Sequence, residues 1–95
     1  MQNSEIARVF YDIAEMLTRN KDNIFKIRTY RKAAHAIEEL PMPVEQLVVE
    51  GRLKEIPGAG EAIAKKITEL VTTGKLDYLE RLESEFAEKE VTNKG

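Results

Sequence analysis

The chain has 95 residues, no cysteine, one histidine and a formal net charge of −2. That length gives one domain with a modest core. The missing cysteines exclude a disulfide framework, a thiolate zinc site and a cysteine nucleophile, and a single His35 excludes a histidine-rich metal site.

No apolar run approaches a membrane span. The start, Met1-Gln2-Asn3-Ser4-Glu5, is polar and acidic, unlike a signal peptide. A soluble, monomeric, cytoplasmic protein is expected, nucleoid-associated in a prokaryote. Asn3 or Ser4 is placed to cap a first helix, with Glu5 in its first turn. Ile6, Val9, Phe10, Ile13 and Leu17 recur at three- and four-residue steps, so one apolar stripe runs to about Arg19 or Asn20. Asn20 to Asn23 reads as a polar loop, with Asn23 capping the next helix.

This second helix is predicted from about Ile24 to Leu40, with Ile27, Tyr30, Ala34 and Ile37 as its stripe. Lys26 lies one turn before Tyr30, so their side chains are neighbours. His35 faces away from both and reads as a surface residue. Pro41-Met42-Pro43 ends this helix. Pro43 opens a short third helix, Val44 to Glu50, which buries Val44, Leu47 and Val48 and ends at Gly51.

Ile56-Pro57-Gly58-Ala59-Gly60 then forms a hairpin. Pro57 cannot continue a helix. Gly58 and Gly60 are free to take positive φ and allow another backbone to come close. A fourth helix comes next, about Gly60 to Thr73, with Ile63, Ile67 and Leu70 inside and Gly74 as its C-cap. A glycine turn beside free helix N–H groups suits a phosphate; an ordinary interhelical turn is the plainer reading. A fifth helix, about Asp77 to Lys89, buries Leu79, Leu82 and Phe86. The domain spans 1–90, with a flexible tail at 91–95. No strand alternation appears, so the fold class is all-α: a compact bundle of four to five short helices.

Charge is unevenly placed. From Arg19 to Lys32 the cations Arg19, Lys21, Lys26, Arg28, Arg31 and Lys32 face only Asp22. From Asp77 to Glu90 the acids dominate. One region suits phosphates and the other solubility, although solvated helix faces also look like this.

Three stretches carry a resemblance: Asn23-Ile24-Phe25-Lys26-Ile27-Arg28-Thr29-Tyr30-Arg31-Lys32-Ala33-Ala34, Leu53-Lys54-Glu55-Ile56-Pro57-Gly58-Ala59-Gly60, and Ile63 to Leu70 with Thr73-Gly74-Lys75-Leu76. In this order and at these separations the chain resembles the amino-terminal (8 kDa-type) domain of family X DNA polymerases, from Asn3 to about Leu82. The resemblance implies one helix-hairpin-helix motif, about 44–73, that binds gapped or nicked DNA near a 5′-phosphate in base-excision or gap-filling repair. It implies an excised domain, with a polymerase region following in the full-length protein, or a free-standing protein of that type. No polymerase active site lies in this chain.

The resemblance places Gly58, Ala59, Gly60, Glu61 and Lys65 among positions that contact DNA phosphates. Lys26, Tyr30 and Lys54 fall where lyase-active members hold the 5′-phosphate, and Lys66 falls at their Schiff-base lysine. No cofactor is required, but carbonyls of Lys54, Ile56 and Ala59 fall where such hairpins hold a monovalent cation, Na+ or K+. Phe25 replaces a histidine and Ala62 a phosphate-pocket lysine of lyase-active relatives, which leaves the pocket short of donors.

Three functions fit, in this order: DNA binding, a 5′-deoxyribose-phosphate lyase, and a protein–protein interaction module on the same scaffold. Lys66 lies at the border of the Ile63–Ile67–Leu70 stripe, where partial burial lowers a lysine pKa and favours the neutral amine. The plainer role is a lysine whose stem lies on the core edge. Tyr30, in mid-stripe, reads first as a core tyrosine with its hydroxyl at the surface. Lys26 and Lys54 read singly as surface lysines. Glu69, three residues from Lys66, is a general-base candidate.

Overall fold

The stripes of the first, second and fourth predicted helices become buried faces. The structure, a computed structural model, describes the backbone of residues 1–94 and the side chains of residues 1–88. Its elements are α1 (Asn3–Arg19), α2 (Ile24–Glu38), α3 (Val44–Val49), a single 3-10 turn (Leu53–Glu55), α4 (Glu61–Thr73) and α5 (Asp77–Lys94). No strand occurs among the described residues, and the fold is all-α.

The core is built on α1. Ile6, Phe10, Ile13 and Leu17 are all 0% exposed. Steps of three and four put them on one face, and each such burial stabilises by about 1.5–3 kcal/mol relative to exposure. α1 packs chiefly on α2 and also touches α4 and α5.

The helix ends refine the expected caps. Gln2, not Asn3 or Ser4, is the N-cap of α1. Its N–H donates to the Glu5 carboxylate at 2.8 Å, half of a capping box. Asn3 works across the fold instead: its Oδ1 accepts from the Val44 N–H at 2.8 Å, and its amide donates to the Met42 carbonyl at 2.8 Å. Pro43 is the N-cap of α3 and makes no side-chain cap. The orphan Val44 N–H therefore takes its partner from α1. Asn23 caps α2 as expected, accepting from the Phe25 N–H at 2.8 Å. α2 ends at Glu38, two residues before Leu40, because Pro41 disfavours helical backbone just before it. Gly74 closes α4 at φ +77°.

α5 departs most from expectation. Leu79, Leu82 and Phe86 are only half-buried, and the buried residue is Leu76, just before the helix, at 3% exposure. α5 lies on the outside, with α1 as its main neighbour. The Arg19 guanidinium covers the Phe86 ring, 5.8 Å from its centroid. The helix continues past Lys89 to Lys94, so 91–94 have helical backbone where a tail was expected. Gly95 lies outside the described residues.

Ile67→Ala, at a fully buried site, should destabilise by about 2–5 kcal/mol. Asn3→Ala should cost roughly 1 kcal/mol by uncapping α3. Urea unfolding checks both, and an unchanged midpoint in either variant contradicts the packing described.

Candidate nucleic-acid interface

The hairpin is pinned from below. Ile56 and Ala59 are 1% and 7% exposed, whereas Pro57 and Gly60 face solvent. The Ala59 N–H donates to the Ile56 carbonyl at 3.0 Å, and the Gly60 N–H to the Gly58 carbonyl at 3.2 Å. Apolar side chains point inward and the turn's backbone points outward.

The two glycines differ. Gly58 has φ +84°, the left-handed region. A Cβ there would also stand 3.1 Å from Cγ of Lys32. Gly60 has φ −76°, open to any residue, so positive φ is not its purpose. A Cβ there would meet nothing within 4 Å. Gly60 is the N-cap of α4 and makes no side-chain cap. The first N–H groups of α4 are therefore left for an external acceptor.

Cations near the turn are unequal. Arg52 donates to Glu50 at 2.6 Å and to both Glu55 oxygens at 2.8 and 2.9 Å. These bonds raise the Arg52 pKa and lower that of Glu55. Lys32 lays its stem against Gly58, which brings it to the hairpin. Its place well round from the α2 stripe gave no sign of this. Lys54, Glu61 and Lys65 are exposed.

Beside the hairpin, α2, α4 and α5 enclose a cleft of ≈ 320 Å³. α2 supplies Lys26, Thr29 and Tyr30; α4 supplies Ala62, Ile63 and Lys66; α5 supplies Tyr78. Lys26, Tyr30 and Lys66 are thus brought together, while Lys54 stays on the 3-10 turn and does not line the cleft. His35 is at the surface, as expected. Tyr30 is 5% exposed, and burial, then the neighbouring Tyr78, raises its phenol pKa.

Tyr78 is the lining residue that sequence reasoning missed. It sits on α5 four residues before Leu82, the only hint of its inward row. Its ring stacks on Tyr30 with centroids 6.0 Å apart and planes at 13°. Its hydroxyl is closed off from solvent and makes no well-aligned hydrogen bond. Lys26 nevertheless comes close enough to that hydroxyl for its own pKa to rise, with Asp22 adding to the effect.

Lys66 moves the other way. Burial, then the charges of Lys26 and Arg81, lower its pKa against the opposing pull of Glu69. Glu69 itself is engaged. Its Oε2 accepts from the Asp77 N–H at 2.8 Å and so caps α5. That bond engages one of the two carboxylate oxygens.

Gly58→Ala should destabilise the fold through strain at positive φ and contact with Lys32, whereas Gly60→Ala, which loses only a favoured N-cap residue, should lower the melting temperature less. Equal loss in both variants contradicts the geometry of the turn.

The sequence is similar to those of known proteins. The family described as "Helix-hairpin-helix domain" matches residues 1–76. DNA polymerase lambda of Arabidopsis thaliana is 42% identical over 57 residues, covering 60% of this chain and 10% of the relative. The DNA polymerase/3′-5′ exonuclease PolX of Bacillus subtilis (strain 168) is 30% identical over 88 residues, covering 93% of this chain and 15% of the relative. The chain therefore spans a small part of these relatives. No helix among the described residues is long and apolar enough to cross a membrane. With its Pro57–Gly60 turn leading into α4, the chain belongs to the helix-hairpin-helix domain family, in the amino-terminal form of the family X DNA polymerases.

Proposed function

We propose that this domain binds gapped or nicked DNA through backbone phosphates and a 5′-phosphate, in base-excision or gap-filling repair. The observation that carries the reading is the bare start of α4 behind a preformed glycine turn. Helix N–H groups and the helix dipole favour an anion there. Gly58, Ala59, Gly60 and Glu61 offer backbone to one phosphate, with Lys65 and Lys32 as nearby charges. Contacts of this kind fix position without reading bases. Both relatives are named as DNA polymerases, so a polymerase region acting with this domain is part of the proposal.

The cleft takes the 5′-phosphate. Lys26 keeps its proton and supplies the charge, and Tyr30 closes one wall. Lys54 contributes from outside the cleft. A monovalent cation, Na+ or K+, suits the hairpin because its donors are neutral oxygens. Pro57 has no N–H to occupy the Lys54 carbonyl, the Ile56 carbonyl keeps a second lone pair after bonding Ala59, and the Ala59 carbonyl completes the set. Such a cation would add positive charge beside the phosphate.

A second reading, a 5′-deoxyribose-phosphate lyase, is favoured by one observation: Lys66 is half-buried in the cleft with a lowered pKa. The neutral amine adds to the C1′ aldehyde, and loss of water gives an iminium. The iminium acidifies C2′; loss of that proton and of the 3′ phosphate breaks the C3′–O bond. Hydrolysis then restores the amine. Ala62 and Phe25 supply no cation to the cleft, so the activity expected is weak.

Gly60→Val should abolish most DNA binding while leaving the helix content intact. Wild-type affinity should fall with salt along a shallow slope, about −0.9 per phosphate contact on duplex DNA. Binding should also weaken when the 5′-phosphate is removed. Full affinity in Gly60→Val, or indifference to salt, counts against the hairpin as the DNA site.

Borohydride should trap a covalent adduct with a 5′-deoxyribose-phosphate end, and Lys66→Ala should remove most of it. Ala62→Lys should strengthen binding of 5′-phosphorylated DNA. An undiminished adduct in Lys66→Ala assigns the amine elsewhere, to Lys65 or the amino terminus.

A further inference from the structure

A reactive amine is useful only if it is held in place, and a free lysine side chain is not. Lys66 has a partner for this. Its Nζ lies 4.8 Å from the centroid of the Tyr78 ring, and the Nζ of Lys26 lies 5.6 Å from the same centroid. Both distances are within the range of cation–π attraction. No acidic side chain lines the cleft among the described residues.

The position of the ring is itself over-determined. Tyr78 stacks on Tyr30, which stacks on the fully buried Phe10 with centroids 6.1 Å apart and planes at 20°. The preceding Leu76 is buried in the core. The Asp77 N–H is held by Glu69 at 2.8 Å. Glu69 is one turn along α4 from Lys66. The same helix therefore carries the amine and the carboxylate that anchors the ring beside it.

We propose that Tyr78 is a positioning residue for Lys66: its ring holds the amine inside the cleft and keeps water from it. Lys26 stays in the same cleft as the cation for the ligand's anionic end. The inference rests on the reading of Lys66 as the reactive amine, but it is decided by a measurement that needs no DNA. The charged and titratable groups around the amine are Lys26 and Tyr30 on α2, Glu69 on α4, and Tyr78 and Arg81 on α5, with the loop residue Asp22 acting on Lys26. Among the described residues, only Tyr78 offers Lys66 a ring face.

The test uses this chain with 13C-labelled lysine, the Lys66 signals being assigned through Lys66→Arg. Protons above an aromatic face are shielded, so the Lys66 Hε resonance should lie upfield of the other lysines and titrate at lower pH. Tyr78→Phe should keep both properties. Tyr78→Ala should lose the upfield shift. If Tyr78→Ala loses helix content, Tyr78→Leu, which keeps apolar bulk without a ring, should still lose the shift. A wild-type Lys66 signal among those of ordinary lysines, or one unmoved by Ala and Leu, overturns the proposal. On a 5′-deoxyribose-phosphate end, Tyr78→Ala should lose trapped adduct and Tyr78→Phe should restore it. Absence of adduct in the wild type sinks the lyase reading alone, and the resonances still decide the role of Tyr78.

Discussion

The burial of Ile56 and Ala59 is the constraint on which the interface depends. Their side chains enter the core on either side of a turn whose backbone must face outward. Pro57 removes one N–H from the problem, and Gly58 supplies the left-handed backbone that reverses the chain. The start of α4 is thus ordered by the fold itself. Preorganised donors avoid the conformational cost that a mobile loop would incur on binding.

Electrostatics near the turn depends on which cations already have partners. Arg52 is held between Glu50 and Glu55, and Arg19 between Glu15 and the Phe86 ring. Lys32, Lys26 and Lys66 are placed at the hairpin and cleft instead. A chain of net charge −2 can therefore present a locally cationic surface without attracting polyanions over its whole area. The opposite shifts of Lys26 and Lys66 come from the same neighbourhood: a phenol hydroxyl beside one, burial and a like charge for the other.

Much of this was legible in the sequence because local rules and packing agree. The stripes of α1, α2 and α4, the Asn23 cap and the Gly74 stop depend on residues a few positions apart. The features that stayed hidden depend on distant pairs. Asn3 looks like a cap for its own helix, and only the fold shows that the Val44 N–H needs it as an acceptor. Glu69 looks free until Asp77 is brought over it. Lys54 and Lys26 are 28 positions apart (54 − 26), and nothing local states that the 3-10 turn holds Lys54 outside the cleft. Tyr78 was missed because α5 is an outer helix with a weak stripe, and only the four-residue step to Leu82 pointed to the row that faces Tyr30. Gly60 shows a different limit: its residue type suggested a backbone need, and its φ shows that no left-handed backbone is required there.

The core has no buried polar or charged residue among the described side chains. Such an interior holds together through volume and shape, with no hydrogen-bond network to disrupt. Volume-conserving apolar exchanges cost little in cores of this type, often under about 1.5 kcal/mol. The interior is therefore free to drift in sequence. The turn is not: a left-handed backbone at Gly58 and a missing N–H at Pro57 have few chemical equivalents. Over long divergence, relatives of this domain should keep the wording of the hairpin while rewriting the stripes that support it.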